Sequence, residues 1–238
     1  MAERIRIQKA IAHAGLMSRR SAEEAILAGR VRRNGEIAVL GDRVDPDSDV
    51  LTLDGAPVPV AEHLETHLLY KPIGVISTAD DPQGRQTVVD LVSTEQRLYP
   101  VGRLDADSEG LILVSNDGEL TNRVTHPRYG ITKKYLAQVS GRPTRADLKR
   151  LIDGVDLDDG PARAVSARLI DSQPDAALVE LVMMEGRNRE VRRMFDAIGC
   201  EVTRLVRTAI GNLTDPDLRA GESRRVTPVE IQRLLEIT

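Results

Sequence analysis

The sequence predicts an α+β protein in two parts. Two short helices feeding a hairpin come first, and a mixed, mostly antiparallel sheet flanked by helices follows. Three observations carry this. Helix-spaced apolar residues give way, before residue 40, to a strand that turns at Asn34-Gly35. Beyond residue 63, apolar runs of strand length recur with helical segments interspersed irregularly, and the strict β-α-β alternation of a doubly wound parallel sheet does not occur. Between the two parts, residues 56–63 hold Pro57 and Pro59, which favour an extended path. The expected domains are therefore 1–62 and 63–238.

Taken in order, Ile7, Ala10, Ile11 and Ala14 recur at helical spacing, and Gly15 stops the first helix. Ser18 starts a second helix, with Ser21 and Glu24 as an alternative capping box; it turns Ala22, Ala25 and Ile26 inward and ends near Gly29. Residues 31–37 read as a strand turning at Asn-Gly. In the second part the strand-length runs are 68–70, 75–76, 111–114, 135–139 and 177–183. A helix over 188–199 would put Val191, Met194, Phe195 and Ile198 on one face and turn Arg189, Arg193 and Asp196 away. At about 100° per residue Arg192 falls beside the apolar stripe, so its long side chain can cross the edge of the core and reach a cleft. An ordinary amphipathic helix with a wet basic face would show the same spacing.

A chain of 238 residues with 41% apolar content can bury a substantial core and has room for one or two domains. The single Cys200 leaves no internal disulfide. No N-terminal basic-apolar-cleavage pattern and no long apolar run is present, so the expectation is a cytoplasmic protein with no membrane partner. The formal net charge of −4 argues against a polyanion ligand only until its distribution is read. Over residues 4–33, Arg4, Arg6, Lys9, Arg19, Arg20, Arg30, Arg32 and Arg33 face only Glu23 and Glu24, whereas 42–54 is predominantly acidic. Arg19 and Arg20 fall in the first turn of the second helix, where free N–H groups and the helix dipole also favour phosphate.

The loop Gly102-Arg103-Leu104-Asp105-Ala106-Asp107-Ser108-Glu109-Gly110 crowds three carboxylates, whose repulsion calls for water, a metal or basic groups. As a calcium loop it fails at Asn116, where a bidentate glutamate is needed. Asp45-Pro46-Asp47-Ser48-Asp49 fails sooner, because Val50 stands where the turn needs glycine. No Gly-x-x-x-x-Gly-Lys-Ser/Thr loop and no Gly-x-Ser-x-Gly elbow occurs, and His13, His63, His67 and His126 lack a zinc spacing. What survives is a carboxylate acting without a metal.

The N-terminal order Lys9-Ala-Ile-Ala-His-Ala-Gly15, Ser18-Arg19-Arg20, Gly29-Arg30-Val31, Asn34-Gly35, Asp49-Val50 and Asp54-Gly55 resembles the S4 RNA-binding domain. That resemblance implies a structured RNA ligand and no reaction of its own. The segments Tyr70-Lys71-Pro72-Ile73-Gly74-Val75, Tyr99-Pro100-Val101-Gly102-Arg103-Leu104-Asp105, Glu109-Gly110-Leu111-Ile112-Leu113, Ser115-Asn116-Asp117-Gly118-Glu119-Leu120 and Glu185-Gly186-Arg187-Asn188-Arg189-Glu190-Val191-Arg192-Arg193-Met194 resemble the ribosomal RNA pseudouridine synthases. The branch is the one that joins an S4 domain to a short catalytic domain, and Asn188-Arg189-Glu190-Val191-Arg192-Arg193 is most similar to its B-type large-subunit enzymes. Ser108 and Ser115 stand where the family often has threonine, and Ile112 where it often has leucine.

The resemblance implies isomerisation of one uridine in ribosomal RNA, with 23S rRNA expected, and no cofactor or metal. It carries the essential aspartate onto Asp105, which attacks or stabilises the sugar or base while the glycosidic bond breaks. It puts Arg192 in the place of the arginine that pairs with that aspartate, and Tyr135 in the place of the tyrosine that stacks on the target base. Tyr135 would otherwise be a half-buried strand aromatic; at 2% aromatic content few residues could do the stacking. Arg103 is expected to touch phosphate or hold the displaced base, or else to bridge to Asp107 or Glu109. Arg187, Arg189, Arg193, Lys133 and Lys134 are expected phosphate contacts that offset the cost of extruding the base, and Arg19, Arg20 and Arg30 belong to the S4 footprint. Asp107 and Glu109 are expected to shape the loop or face solvent. The expected partner is ribosomal RNA or a pre-ribosomal particle, met as a monomer. The alternatives are a non-catalytic S4 assembly factor and a small-subunit 16S enzyme.

Overall fold

The computed structural model describes residues 4–45, 48–58 and 64–236. The chain separates into two compact units, Met1–Glu65 with Thr94–Leu98 and Asn116–Gly118, and Thr66–Ser93 with Tyr99–Ser115 and Glu119–Thr238. The expected boundary at 62/63 falls on residues 59–63, outside those described. Residues 46–47 of the rejected acidic loop also lie outside them.

The first unit begins with β1 (Ile5–Arg6), α1 (Ile7–His13) and α2 (Arg19–Leu27). Gly15, at φ +73°, lets the chain leave α1. Ser18 itself caps α2, its side chain accepting from the Ser21 N–H, so the Ser21–Glu24 box is not used. Then come β2 (Val31–Arg33), β3 (Glu36–Ile37), β4 (Arg43–Val44), β5 (Leu51–Leu53) and β6 (Ala56–Pro57). Strands β3-β2-β5-β6 form one small sheet, and β1 pairs with β4. Asn34 and Gly35 both take positive φ, as the two-residue hairpin requires. Ile7, Ile11, Ala22, Ala25, Ile26 and Val31 close a core of their own. Full burial of each large aliphatic contributes roughly 1.5–3 kcal/mol.

The second unit holds β7 (Thr66–Lys71), β8 (Tyr99–Val101), β9 (Glu109–Ser115), α3 (Gly118–Thr125), β10 (Lys133–Ser140), α4 (Arg145–Asp153), β11 (Val155–Leu157), β12 (Gly160–Ala162), β13 (Ser166–Ser172), β14 (Ala176–Met183), α5 (Glu190–Asp196), β15 (Val202–Ile210), β16 (Ser223–Arg225) and α6 (Pro228–Leu235). Eight strands make one sheet in the order β13-β14-β10-β15-β9-β7-β16, with β8 also on β9. All pairings in it are antiparallel except β15 with β9, where Val206 meets Glu109 and Arg207 meets Gly110. The 75–76 run forms only a bridge, from Ile76 to Thr87.

Helix starts in this unit follow local chemistry. Thr144 with Asp147 and Thr227 with Glu230 form reciprocal capping boxes, and Pro228 sits at the first position of α6. The core joins Leu68, Leu111 and Leu113 of the sheet to Leu120 and Val124 of α3 and Leu234 of α6. Among the described residues no helix is long and apolar enough to cross a membrane.

Candidate active site

Residues 102–108 join β8 to β9, and their backbone is fixed at several points. Ser77 Oγ donates to the Leu104 carbonyl at 2.7 Å and accepts from the Leu104 N–H at 3.1 Å. The Gly74 N–H donates to the Ala106 carbonyl at 2.7 Å, and the Ser108 N–H to the Asp105 carbonyl at 3.0 Å. Leu104 and Ser108 are buried, so Asp105 between them is held half-buried at the wall of a cleft. Arg103, Ser108, Tyr135, Gly186 and Leu205 line the same cleft. Ser108 Oγ is buried with no hydrogen-bond partner among the described residues. Gly110, at φ +105°, is dictated by packing: a Cβ there would lie 2.3 Å from the Arg207 carbonyl oxygen.

The three acids of the loop have separate surroundings. Glu109 is buried, accepting from Arg204 Nε at 2.6 Å and from the Tyr70 hydroxyl at 3.2 Å. The Arg204 hydrogen bond outweighs burial and holds its carboxyl below the usual glutamate range. Asp107 is more open. Partial burial opposes its ionisation, but Arg189 and Arg192 together win and lower its pKa. The Asp105 carboxylate makes no ion pair among the described residues. The expectation that Glu109 faces solvent or merely shapes the loop is thus corrected, because burial in a β-strand beside Arg204 makes it an interior ion-pair partner.

Behind the loop, Lys71 is fully buried, and its ammonium donates to the Pro72 carbonyl at 2.9 Å. Burial pushes it down to about 8, against the opposing pull of Asp107, Asp105 and Glu109. The crowded carboxylates therefore have their counter-charge in Lys71, Arg189, Arg192 and Arg204.

Arg192 does cross the core edge as its helical position predicts, and only 9% of it is exposed. Its partners differ from the expectation. Nη1 donates to the Val202 carbonyl at 2.7 Å, Nη2 to the Asp107 carbonyl at 2.9 Å, and Nε stands 3.4 Å from Asp107 Oδ2. The arginine meets Asp107 in place of Asp105. Helix α5 also starts later than 188, because Glu190 turns back to accept from the Arg187 N–H and Nε, and Arg189 takes φ +48°. Arg189 then reaches Asp107 at 2.9 Å.

The expected phosphate contacts divide in the same way. Arg187 spends its donors on Glu190, Asp159 and the Gly160 and Pro161 carbonyls, and Arg193 makes a two-pronged pair with Asp159. Both tie the β11–β12 turn to the α5 loop. Lys133 Nζ donates to the Val124 and Ile131 carbonyls at 2.9 and 2.7 Å. Lys134 stands 3.5 Å from Glu180. Arg103 makes no ion pair with Asp107 or Glu109, both of which are held by other arginines, and its side chain is left to the cleft. In the first unit, Arg19 and Arg20 are exposed in the first turn of α2, whereas Arg30 pairs with Asp54.

Tyr135 is 8% exposed and shares its strand face with Ala137 and Val139, as a core aromatic would, yet it also lines the Asp105 cleft. Lys71, Ser77, Asp159 and Arg207 were not read as site residues from the sequence. Lys71 carried one signal, a lysine directly following the apolar run Leu68-Leu69-Tyr70. The other three act through contacts between segments distant in sequence, which periodicity does not report.

A family model described as RNA pseudouridylate synthase matches residues 65–197, and an S4 domain model matches residues 5–50. The chain is 45% identical over 232 residues to the ribosomal large subunit pseudouridine synthase B of Bacillus subtilis (strain 168), covering 96% of this chain and 95% of that protein. It is 45% identical over 235 residues to an uncharacterized RNA pseudouridine synthase of Mycobacterium leprae (strain TN), covering 97% and 92%. A crystal structure of a pseudouridylate synthase superposes with a TM-score of 0.68 at 30% identity, covering 97% of this chain and 99% of that one.

Proposed function

The chain belongs to the RNA pseudouridylate synthase family and carries an S4 domain, and from that premise we propose that it isomerises a uridine of large-subunit ribosomal RNA with Asp105 as its catalytic carboxylate. The observation that carries the assignment is that Asp105 and Tyr135 line one cleft, with the Asp105 carboxylate in no ion pair among the described residues while Asp107 and Glu109 are each paired with an arginine.

The reaction breaks the bond between the ribose and the uracil nitrogen, turns the base, and rejoins the ribose to a ring carbon, which gives up its proton while the freed nitrogen takes one up. The target base leaves its stack, at a cost of a few kcal/mol, and enters the cleft. Asp105 acts at the reacting sugar or base, its main chain fixed by Ser77 and Gly74 so that position rather than charge is supplied in advance. Tyr135 packs on the base and presents a hydroxyl for the proton. Arg103 contacts substrate phosphate or holds the displaced base. In this reading the protein acts as a monomer, and a ribosomal RNA substrate puts the work in the cytoplasm.

The test maps pseudouridine in ribosomal RNA from cells lacking the protein and complements them with wild type or Asp105→Asn. One large-subunit site should vanish and return with wild type only, with the variant slower by at least about 10³-fold on that RNA in vitro. Rescue by the asparagine variant would remove Asp105 from the chemistry. A site lost from 16S rRNA would move the substrate to the small subunit.

A further inference from the structure

Two cations of the second unit stand together without an acid. Arg207 on β15 is directly opposite Tyr135 on β10, and Lys133 opens the same strand two residues earlier. Arg207 is 4% exposed; its Nε donates to the Leu111 carbonyl at 2.6 Å and its Nη1 to the Arg103 carbonyl at 3.4 Å, while Nη2 has no partner. Lys133 Nζ likewise meets only the neutral carbonyls of Val124 and Ile131. Among the described residues neither forms an ion pair with a carboxylate. The ammonium of Lys133 is pushed down to about 8 by burial and then by the charge of Arg207.

This is costly, since buried charge is ordinarily paired. The other buried cations of the site do have acids: Arg192 has Asp107, and Lys71 feels all three acids of the loop. Arg207 and Lys133 both line a second cavity, whose walls include Thr125 and which shares Arg103, Tyr135, Glu185 and Gly186 with the Asp105 cleft. Tyr135 stands between the two. The one carboxylate on the shared wall, Glu185, is 55% exposed and lies 3.9 Å from Arg187.

We propose that this second cavity is a subsite for one backbone phosphate of the RNA strand, the phosphate flanking the nucleotide whose base enters the Asp105 cleft. The proposal rests on the reading of that cleft as the place of isomerisation. A base lodged on one side of Tyr135 remains covalently tied to its two phosphates, so its backbone must pass close to the other side. There a singly charged phosphate meets the guanidinium of Arg207, the remaining hydrogen of Lys133 and Arg103, and the like-charge repulsion becomes a shared attraction. The binding gained offsets part of the cost of flipping.

The test measures affinity of the full-length enzyme for a stem-loop containing the uridine that wild type converts, with each flanking phosphate replaced in turn by a neutral methylphosphonate. One replacement should weaken wild type about tenfold, the scale of a hydrogen bond to a charged group. Lys133→Met should weaken binding to the unmodified stem-loop by about the same factor and reduce its salt dependence by one phosphate contact. Combined, the two changes should cost about tenfold, not a hundredfold, and Lys133→Arg should restore sensitivity to the methylphosphonate, which a merely misfolded variant would not. Multiplicative losses, or affinity indifferent to every methylphosphonate, would overturn the subsite. Competition by inorganic phosphate with flat methylphosphonate arms would also overturn it, leaving a free-anion site. Conversion by wild type with flat arms removes the subsite alone, whereas no conversion of any ribosomal RNA removes the functional reading beneath it.

Discussion

Arg192 grips Asp107 twice, with Nε 3.4 Å from Oδ2 and Nη2 2.9 Å from its carbonyl oxygen, although Asp105 is only two residues away. Arg192 thereby fixes the far side of the Asp105 loop, as Ser77 fixes the near side. Asp107→Asn should weaken this grip without removing the reacting carboxylate. We expect kcat to fall about tenfold with KM within about twofold, because misplacing a catalytic group by a fraction of an ångström is costly but not fatal. Single-turnover pseudouridine formation measures this, and equal inactivity of Asp107→Asn and Asp105→Asn would show that Asp107 carries chemistry itself.

Two lysines set an alkaline signature. Lys71 and Lys133 are both pushed down to about 8 by burial, from an ordinary value of 10.5. Between those values the unfolded chain holds protons that the folded chain has released, so folding stability rises with pH. The cost of burying charge is fully present below about 8 and is relieved above it. The window is pH 8–9, in which Cys200, its thiol pushed up by burial, offsets part of the rise as pH nears the ordinary thiol value of 9.0, and Tyr70, pushed up likewise from 10.0, acts only above it. Urea unfolding should show stability climbing by at most about 1.4 kcal/mol per pH unit for each lysine, with Lys133→Met removing about half of the slope. A flat profile for wild type would contradict the buried ammoniums.

Glycine substitutions should separate strain from collision. Gly35 has φ +87° and nothing within 4 Å of an added Cβ, so Gly35→Ala should cost about 1–2 kcal/mol, the price of left-handed backbone alone. At Gly110 the same change meets Arg207 backbone atoms at 2.3, 2.7 and 2.9 Å. It forces β9 from β15, and we expect loss of more than about 3 kcal/mol or failure to fold, read by thermal unfolding. Comparable Tm values for the two variants would contradict the close approach.

Local features were legible in the sequence and distant ones were not. The apolar faces of α1 and α2, the Ser18 cap and the Asn34-Gly35 turn each follow from residues within a few positions of one another. Arg192 could be placed at the core edge from its angle on the helix, but not assigned its partner, because Asp105 and Asp107 lie too close in sequence for spacing to choose between them. Arg187 and Arg193 read as free basic residues because Asp159, which ties them down, lies on a separate hairpin. The motif Tyr70-Lys71-Pro72 was visible, whereas the complete burial of Lys71 beneath the loop was not.

The β9–β15 pairing has a bearing on how the enzyme comes into being. It joins Glu109 to Val206 and Gly110 to Arg207, a parallel contact that closes one of the longest loops in the sheet. Such contacts form slowly because ordering entropy must be spent before they reward it. During synthesis the helices and hairpin of the first unit, built from neighbours in sequence, can form while β15 is still unmade. A chain interrupted before Val202 would therefore hold the RNA-binding fold without a cleft, and the order of translation makes the molecule a binder before it is a catalyst.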